Sequence, residues 1–262
     1  MPAHGSHGHG RRGASPDSAA LAAHIRRDLA AFVRRQMDPA RARWQKPGAV
    51  VRALGLRRGQ VVAEIGAGPG YFTPRLARAV GPRGHVYAVD PEPAVLQVLR
   101  RNLARARVSN VTPVLSRPDD PLLPASRCDL ALIVNSYHHF PDGPALLRRI
   151  ARALGRDGRI VNIDFDKRET PVGPPVENRV AREDFLRDAR RAGLALMAEH
   201  RFLPYQYFLV LGPRGRKRGG GRRRAANGSR RVGQPVTMCL RRSCGGLQET
   251  ARASRSGCHG GS

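Results

Sequence analysis

No uninterrupted apolar run in the 262 residues approaches the roughly 20 that a membrane-spanning helix requires. The first stretch, Met1 to Gly13, is rich in glycine and histidine and holds no apolar core of a secretory signal. A cytoplasmic protein that does not enter a membrane is the expectation. Cysteine is scarce: of 4 residues, Cys128 stands alone mid-chain, and Cys239, Cys244 and Cys258 lie near the end. Cys239 and Cys244 lack the spacing of a zinc knuckle and no second pair follows. A zinc set of Cys239, Cys244, Cys258 and His259 is therefore disfavoured, and no metal is expected. Lysine is nearly missing, with Lys46, Lys167 and Lys217 the only ones among 47 basic side chains.

What the chain has in excess is arginine. The formal net charge is +27, and residues 213–262 carry 13 Lys and Arg against the single acid Glu249. Charge of this kind holds phosphate backbones without reading sequence, so weak non-specific nucleic-acid binding is expected of the tail. A GC-rich coding sequence produces the same bias toward Arg, Ala, Gly and Pro whatever the function.

Four regions are expected: 1–16, a disordered His/Gly-rich N-terminus; 17–55, a helical extension or lid; 56–212, a folded domain; and 213–262, a disordered Arg/Gly-rich tail. In the second, Leu21, Ile25, Leu29, Phe32 and Val33 recur at helical spacing, and two helices broken near Asp38-Pro39 are expected. In the third, strand and helix signals alternate. Strands are predicted at Gln60–Ile65, His85–Asp90, Val111–Leu115, Cys128–Asn135 and Gly158–Asp164, with helices between them. Two further strands, near Leu196–Phe202 and Tyr205–Leu211, are joined only by the turn at Leu203-Pro204, too short for a parallel crossover. The pattern predicts an α/β fold: a Rossmann-like doubly wound, mostly parallel sheet of seven strands with a C-terminal antiparallel hairpin.

After the first strand three glycines alternate, Gly66, Gly68 and Gly70, where a tight turn and close approach of backbone N–H groups to a ligand are needed. This is not the dinucleotide spacing, because Tyr71 follows. Glu64, at the strand end, would repel a pyrophosphate and suits a cationic amine. Asp90 ends the second strand, where an acid accepts hydrogen bonds from ribose hydroxyls. A ligand with a ribose, an ammonium and no phosphate meets both conditions, and S-adenosylmethionine is such a ligand.

Over about residues 45–212 the chain resembles the class I S-adenosylmethionine-dependent methyltransferases. Val61 to Phe72 matches the family's first motif and Val86 to Asp90 its second. Asp129 to Asn135 with Tyr137, His138, His139 and Phe140, followed by Leu147 to Ile160, resembles the type 11, small-molecule branch. The resemblance implies that Glu64 faces the methionine amine and that Gly66, Ala67 and Gly68 line the methionyl and ribose region, within a motif that includes Gly70. It also implies that Asp90 takes the ribose, that Asp119 or Asp120 lies near the adenine, and that Asn135 lies at the cofactor edge.

For the acceptor, Tyr137, His138 and His139 are the catalytic candidates, just beyond the fourth strand at the carboxyl edge, where ligands bind in open sheets. A base is needed only if the nucleophile is protonated. Asp164 and Asp166 end the fifth strand, where capping is the expected role. Trp44, Lys46 and Pro47 are candidates for folding over the cofactor. The expected activity is methyl transfer to a small molecule. Transfer to RNA or protein, or cofactor binding without catalysis, are the alternatives.

Overall fold

The computed structural model describes residues 27–215 together with Ala23 and Ile25. The Gly/His-rich N-terminus, the tail from residue 216 on, and the cysteines Cys239, Cys244 and Cys258 with His259 lie outside the described residues. Among the described residues no helix is long and apolar enough to cross a membrane.

The N-terminal segment folds as α1 (Leu29–Met37), α2 (Arg41–Gln45) and α3 (Pro47–Ala53). Asp28 caps α1, its carboxylate accepting from the Ala31 N–H at 2.7 Å. The break at Asp38-Pro39 is present, but a second one follows. Lys46 adopts a left-handed φ of 44° and Pro47 opens α3, so the segment holds three helices after Asp28 where two were expected across it.

The sheet contains β1 (Val61–Ile65), β2 (His85–Asp90), β3 (Val111–Leu115), β4 (Cys128–Val134), β5 (Leu154–Phe165), β6 (Leu194–His200) and β7 (Gln206–Pro213). Its order is β3-β2-β1-β4-β5-β7-β6. The first five strands pair in parallel, and β7 enters antiparallel between β5 and β6. Helices α4 (Thr73–Val80), α5 (Pro93–Arg105), α6 (Gly143–Ala153) and α7 (Arg182–Arg191) lie between strands in the chain.

Strand β4 shows why helices cover both faces. Ala131 and Ile133 pack with Leu147, Ile150 and Phe185 on one side. Leu130, Leu132 and Val134 pack with Phe72, Leu76 and Val80 on the other. Alternate side chains point to opposite faces, so a run with no polar residue must be buried twice over. Each such Leu or Ile contributes roughly 2 kcal/mol.

One strand departs from expectation. β5 starts at Leu154, not Gly158, because the helix before it ends at Ala153 and the chain bulges as it enters the strand. Cys128 pairs with Leu154 while Leu130 pairs with Arg159. Gly158 sits in that bulge, and a Cβ there would lie 2.8 Å from the Cys128 carbonyl oxygen. Both ends of the β1/β4 neighbourhood face one cavity, because strand order reverses there: β2 and β3 run off one side, and β5 onward off the other.

Candidate active site

At the carboxyl edge of β1, β2 and β4 lies a cavity of about 320 Å³. Its floor is the turn after β1. Gly66 (φ 72°) and Gly68 (φ 58°) occupy left-handed conformations. A Cβ on Gly66 would lie 2.3 Å from Ser136 Oγ, whereas one on Gly68 would meet nothing within 4 Å. The first glycine is required by packing and backbone, the second by backbone alone, which leaves open space beside the chain. Gly70 is not in the cavity lining; it makes room for Leu99.

Two carboxylates bracket the turn. Glu64 is 4% exposed and accepts a hydrogen bond from the Thr73 hydroxyl at 2.7 Å. Burial pushes its carboxyl up to about 8, against the Thr73 hydrogen bond and the Arg41 charge, which pull it down. Asp90 accepts from the Gly68 N–H at 2.9 Å on one oxygen and from the Glu92 N–H at 3.0 Å on the other. Burial raises it to about 6, despite those two hydrogen bonds. Each Asp90 oxygen has a second lone pair for a ligand hydroxyl. Both groups line the cavity.

The N-terminal helices form another wall. Ile25, Phe32, Gln36 and Arg41 line the cavity, but Trp44, Lys46 and Pro47 do not. Trp44 packs instead on Phe165, ring centroids 5.3 Å apart, and the Lys46 ammonium donates to the Phe202 carbonyl at 2.8 Å. Arg41 is 8% exposed and lies over the Tyr71 ring at 4.1 Å. Desolvation lowers its guanidinium to about 10. This wall is tied to the sheet by three carboxamides in a closed ring. Gln45 Nε2 donates to Gln206 Oε1 (2.7 Å), Gln206 Nε2 to Asn135 Oδ1, and Asn135 Nδ2 to Gln45 Oε1 (3.1 Å). Asn135 lines the cavity with its backbone left-handed at φ 53°.

After β4 a single 3-10 turn, Tyr137–His139, sends its three side chains in different directions. Tyr137 is brought into the core, not the cavity: its hydroxyl donates to Asp188 at 3.0 Å and its ring meets Phe185 edge-on. Burial, then the Asp188 charge, raises the phenol above its ordinary value. His138 Nδ1 sits 3.3 Å from Asp164 Oδ2, and His138 is not in the lining either. His139 is, with its ring centroid 4.0 Å from that of His138. Burial and the neighbouring imidazole lower His139 to about 4, so its ring is neutral.

Asp119 is likewise not brought to the site. Its side chain is 60% exposed and pairs with Arg149 at 2.8 Å. Arg117 and Asp120 bridge each other across a tight turn. Ser116, Arg117, Pro118 and Pro121 therefore line the cavity on that side, and neither aspartate does. Arg41, Phe32 and Glu92 are lining residues that sequence reasoning missed. The helical stripe through Ile25 and Phe32 was the one available signal, since nothing distinguishes Arg41 among so many arginines.

Two buried acids on adjacent strand ends, a turn with one open glycine, and a doubly wound sheet closed by an antiparallel hairpin are the arrangement that the resemblance to S-adenosylmethionine-dependent methyltransferases implies. Residues 62–158 match a family described as a methyltransferase domain. Protein-L-isoaspartate O-methyltransferase of Methanothrix thermoacetophila is 48% identical over 62 residues, 24% of this chain and 30% of that protein. A ubiquinone/menaquinone biosynthesis C-methyltransferase of Pasteurella multocida is 31% identical over 114 residues, 43% of this chain and 42% of that protein. The chain thus spans less than half the length of these curated relatives. A solved S-adenosylmethionine-dependent methyltransferase of Aquifex aeolicus shares the fold at a TM-score of 0.67 and 23% identity, covering 69% of this chain and 96% of that one. Over residues 62–158 the chain thus matches a methyltransferase domain, within a fold that a solved S-adenosylmethionine-dependent methyltransferase shares.

Proposed function

We propose that the chain transfers a methyl group from S-adenosylmethionine to a small-molecule acceptor. The observation that carries this is the placement of Glu64 and Asp90, both buried, on either side of the Gly66–Gly68 turn in one cavity. Glu64 would hold the cofactor's ammonium and Asp90 its ribose hydroxyls, with Gly66, Ala67 and Gly68 beneath and Asn135 at the edge. The fit is chemical as well as spatial. A carboxyl held near 8 by burial is ready to ionise against a cation, and a diphosphate would meet two acids.

The bound cofactor supplies an already activated methyl group, so the chain's own task is to position the acceptor and exclude water. Val134, Phe140 and Leu146 give the cavity an apolar side beside His139. Its imidazole is the lining group placed to accept a proton from an acceptor hydroxyl or thiol, and the burial that keeps the ring neutral also makes it a weaker base than a free histidine. Among the described residues, Ile25, Phe32 and Arg41 supply the lid expected of the N-terminal extension.

Calorimetric titration with S-adenosylhomocysteine and with NAD tests the cofactor assignment; binding of NAD alone overturns it. A screen of small acceptors for methyl transfer tests the rest. A macromolecular acceptor is the second reading, favoured by the concentration of basic charge in residues 213–262. Removing that tail separates the two: small-molecule transfer survives the deletion.

A further inference from the structure

The two edges of the sheet differ in charge. At the carboxyl edge, around the cavity, the connecting segments hold Asp119, Asp120, Asp142, Asp166, Glu169 and Glu177. Their basic residues are Arg117, Lys167, Arg168, Arg179 and Arg201. Arg179 is buried against backbone carbonyls, and Arg168 and Arg201 pair with Asp166 and Glu199. At the amino edge, the turns that enter β1 to β4 and the bulge that opens β5 hold Arg57, Arg58, Arg83, Arg107, Arg127 and Arg156. All six are exposed, and among the described residues none of them forms an ion pair. Asp157 is the one carboxylate in those turns, and Asp129, at the foot of β4, accepts from the Val61 N–H at 2.8 Å.

Codon bias acts on every segment alike and does not sort charge by edge. The helix dipole accounts for basic residues in last turns, such as Arg78, Arg105 and Arg152, but its effect fades beyond them, where these six lie. The turns that carry them are fastened to one another. Asn110 Nδ2 donates to the carbonyls of Ala77 at 3.1 Å, Gly81 at 2.9 Å and Gly84 at 3.3 Å. The Gly59 N–H donates to the Val80 carbonyl at 2.8 Å, and the Arg127 N–H to the Ala153 carbonyl at 2.9 Å. Strand order sets the guanidiniums in a row from Arg107 through Arg83, Arg57 with Arg58, and Arg127 to Arg156. At ~4.8 Å per strand the row is about 20 Å long. It continues to Arg214, where β7 ends and the chain passes into the segment with 13 Lys and Arg against Glu249.

A row of unpaired forks on a fixed base suits a linear polyanion. One strand of duplex DNA presents a phosphate every ~3.4 Å, about six over this length, and arginine binds phosphate through two parallel N–H donors. A bilayer is a poorer match. The exposed large apolar side chains, Leu115, Leu122, Leu196 and Met197, lie in β3, the segment after it and β6, so none stands in these turns to enter lipid. We propose that the amino edge of the sheet binds a nucleic acid through its phosphates. The five residues of β1 separate that edge from the cavity by about 17 Å, so the bound strand is a docking partner and not the methyl acceptor. The inference is independent of which cofactor the cavity holds.

The test is fluorescence anisotropy of the full-length protein with a labelled mixed-sequence DNA duplex of about 20 base pairs, titrated across salt concentrations. In the combined variant Arg57→Gln, Arg83→Gln, Arg107→Gln and Arg127→Gln, the slope of log affinity against log salt should fall by about 3 to 4, at ~0.9 per lost phosphate contact. Affinity at about 0.1 M salt should drop roughly tenfold or more. A control of equal charge change, Arg34→Gln, Arg43→Gln, Arg168→Gln and Arg201→Gln, should keep most of the slope. Circular dichroism checks folding; if the fourfold variant does not fold, the pairs Arg57→Gln with Arg83→Gln and Arg107→Gln with Arg127→Gln should each lower the slope by about 2. Saturating duplex should leave S-adenosylhomocysteine affinity unchanged, and competition between the two would place the strand at the cavity and overturn the proposal. It is also overturned by no binding of the duplex to the wild-type protein, by equal losses in the edge and control variants, or by binding that only deletion of residues 216–262 removes. Tighter binding to phosphatidylserine vesicles than to the duplex would replace the nucleic acid with a membrane surface.

Discussion

The Thr73 hydroxyl donates to Glu64 Oε2 at 2.7 Å, joining the first residue of α4 to the carboxyl end of β1 at the cavity. This bond stabilises the charged form of Glu64, while burial opposes it more strongly. The site therefore holds an acid that is easier to protonate than its unfolded counterpart.

The sign of the resulting pH dependence follows. A carboxyl raised from 4.5 to about 8 binds its proton more tightly in the folded chain. Stability of the cofactor-free protein is then greatest below the unfolded value and falls as pH rises from there toward about 8. Asp90, raised to about 6, shares the lower part of this window, so Glu64→Gln is expected to remove the slope between about pH 6 and 8 and to raise stability near neutral pH, by an amount on the order of a few kcal/mol. Urea midpoints across this pH range check it. A variant with an unchanged slope would exclude Glu64 as the source.

Cofactor binding has the opposite dependence. Holding a cation requires the ionised carboxylate, so affinity for S-adenosylhomocysteine should rise with pH up to about 8, with proton release on binding below it. Calorimetry in buffers of different ionisation enthalpy measures the released proton. Asp90→Asn, which removes a charged acceptor from the ribose position, is expected to weaken binding by ~1–3 kcal/mol.

The two turn glycines should separate in their effects. Gly66→Ala drives a methyl group into Ser136 Oγ and strains a left-handed residue, and a stability loss of about 2–4 kcal/mol is expected. Gly68→Ala meets open space, so its stability cost is nearer ~1 kcal/mol, yet the methyl projects where the ligand lies. Thermal unfolding should rank Gly66→Ala as the worse folder, while Gly68→Ala loses cofactor affinity at a smaller cost in stability.

Tyr137 and His139 are neighbours with different tasks. Tyr137→Phe removes a hydrogen bond to the half-buried Asp188 and should cost ~1 kcal/mol of stability with little change in turnover. His139→Gln should fold normally and lower turnover roughly tenfold or more once an acceptor is in hand. Equal turnover in His139→Gln and the wild type would falsify the role of His139 as base.

Much of this architecture was legible before any coordinates, because buried parallel strands leave an unambiguous trace. Strands β2 and β3 start and stop at the residues expected from periodicity and turn residues. Glu64 and Asp90 were readable because strand ends in such sheets converge on one edge. What escaped depends on direction, not pattern. Adjacent residues in one 3-10 turn diverge, so Tyr137 and His139 look alike in sequence and part company in space. Asp119 faces outward onto Arg149, and Asp120 turns its carboxylate onto the Leu122 N–H at 2.9 Å, in a turn that Arg117 closes. Arg41 is specified by three-dimensional neighbours from α1, α2 and the loop after β1, which no local pattern encodes.

The ring of Gln45, Asn135 and Gln206 gives the chain an order of assembly. Gln206 opens β7, the last strand in chain order among the described residues, and lies 161 residues beyond Gln45. A nascent chain can build β1 through β5 and still have nowhere to seat the helices that carry Arg41. The cavity's outer wall thus waits for the β6–β7 hairpin, and helices made early in synthesis are seated by a strand made 161 residues later.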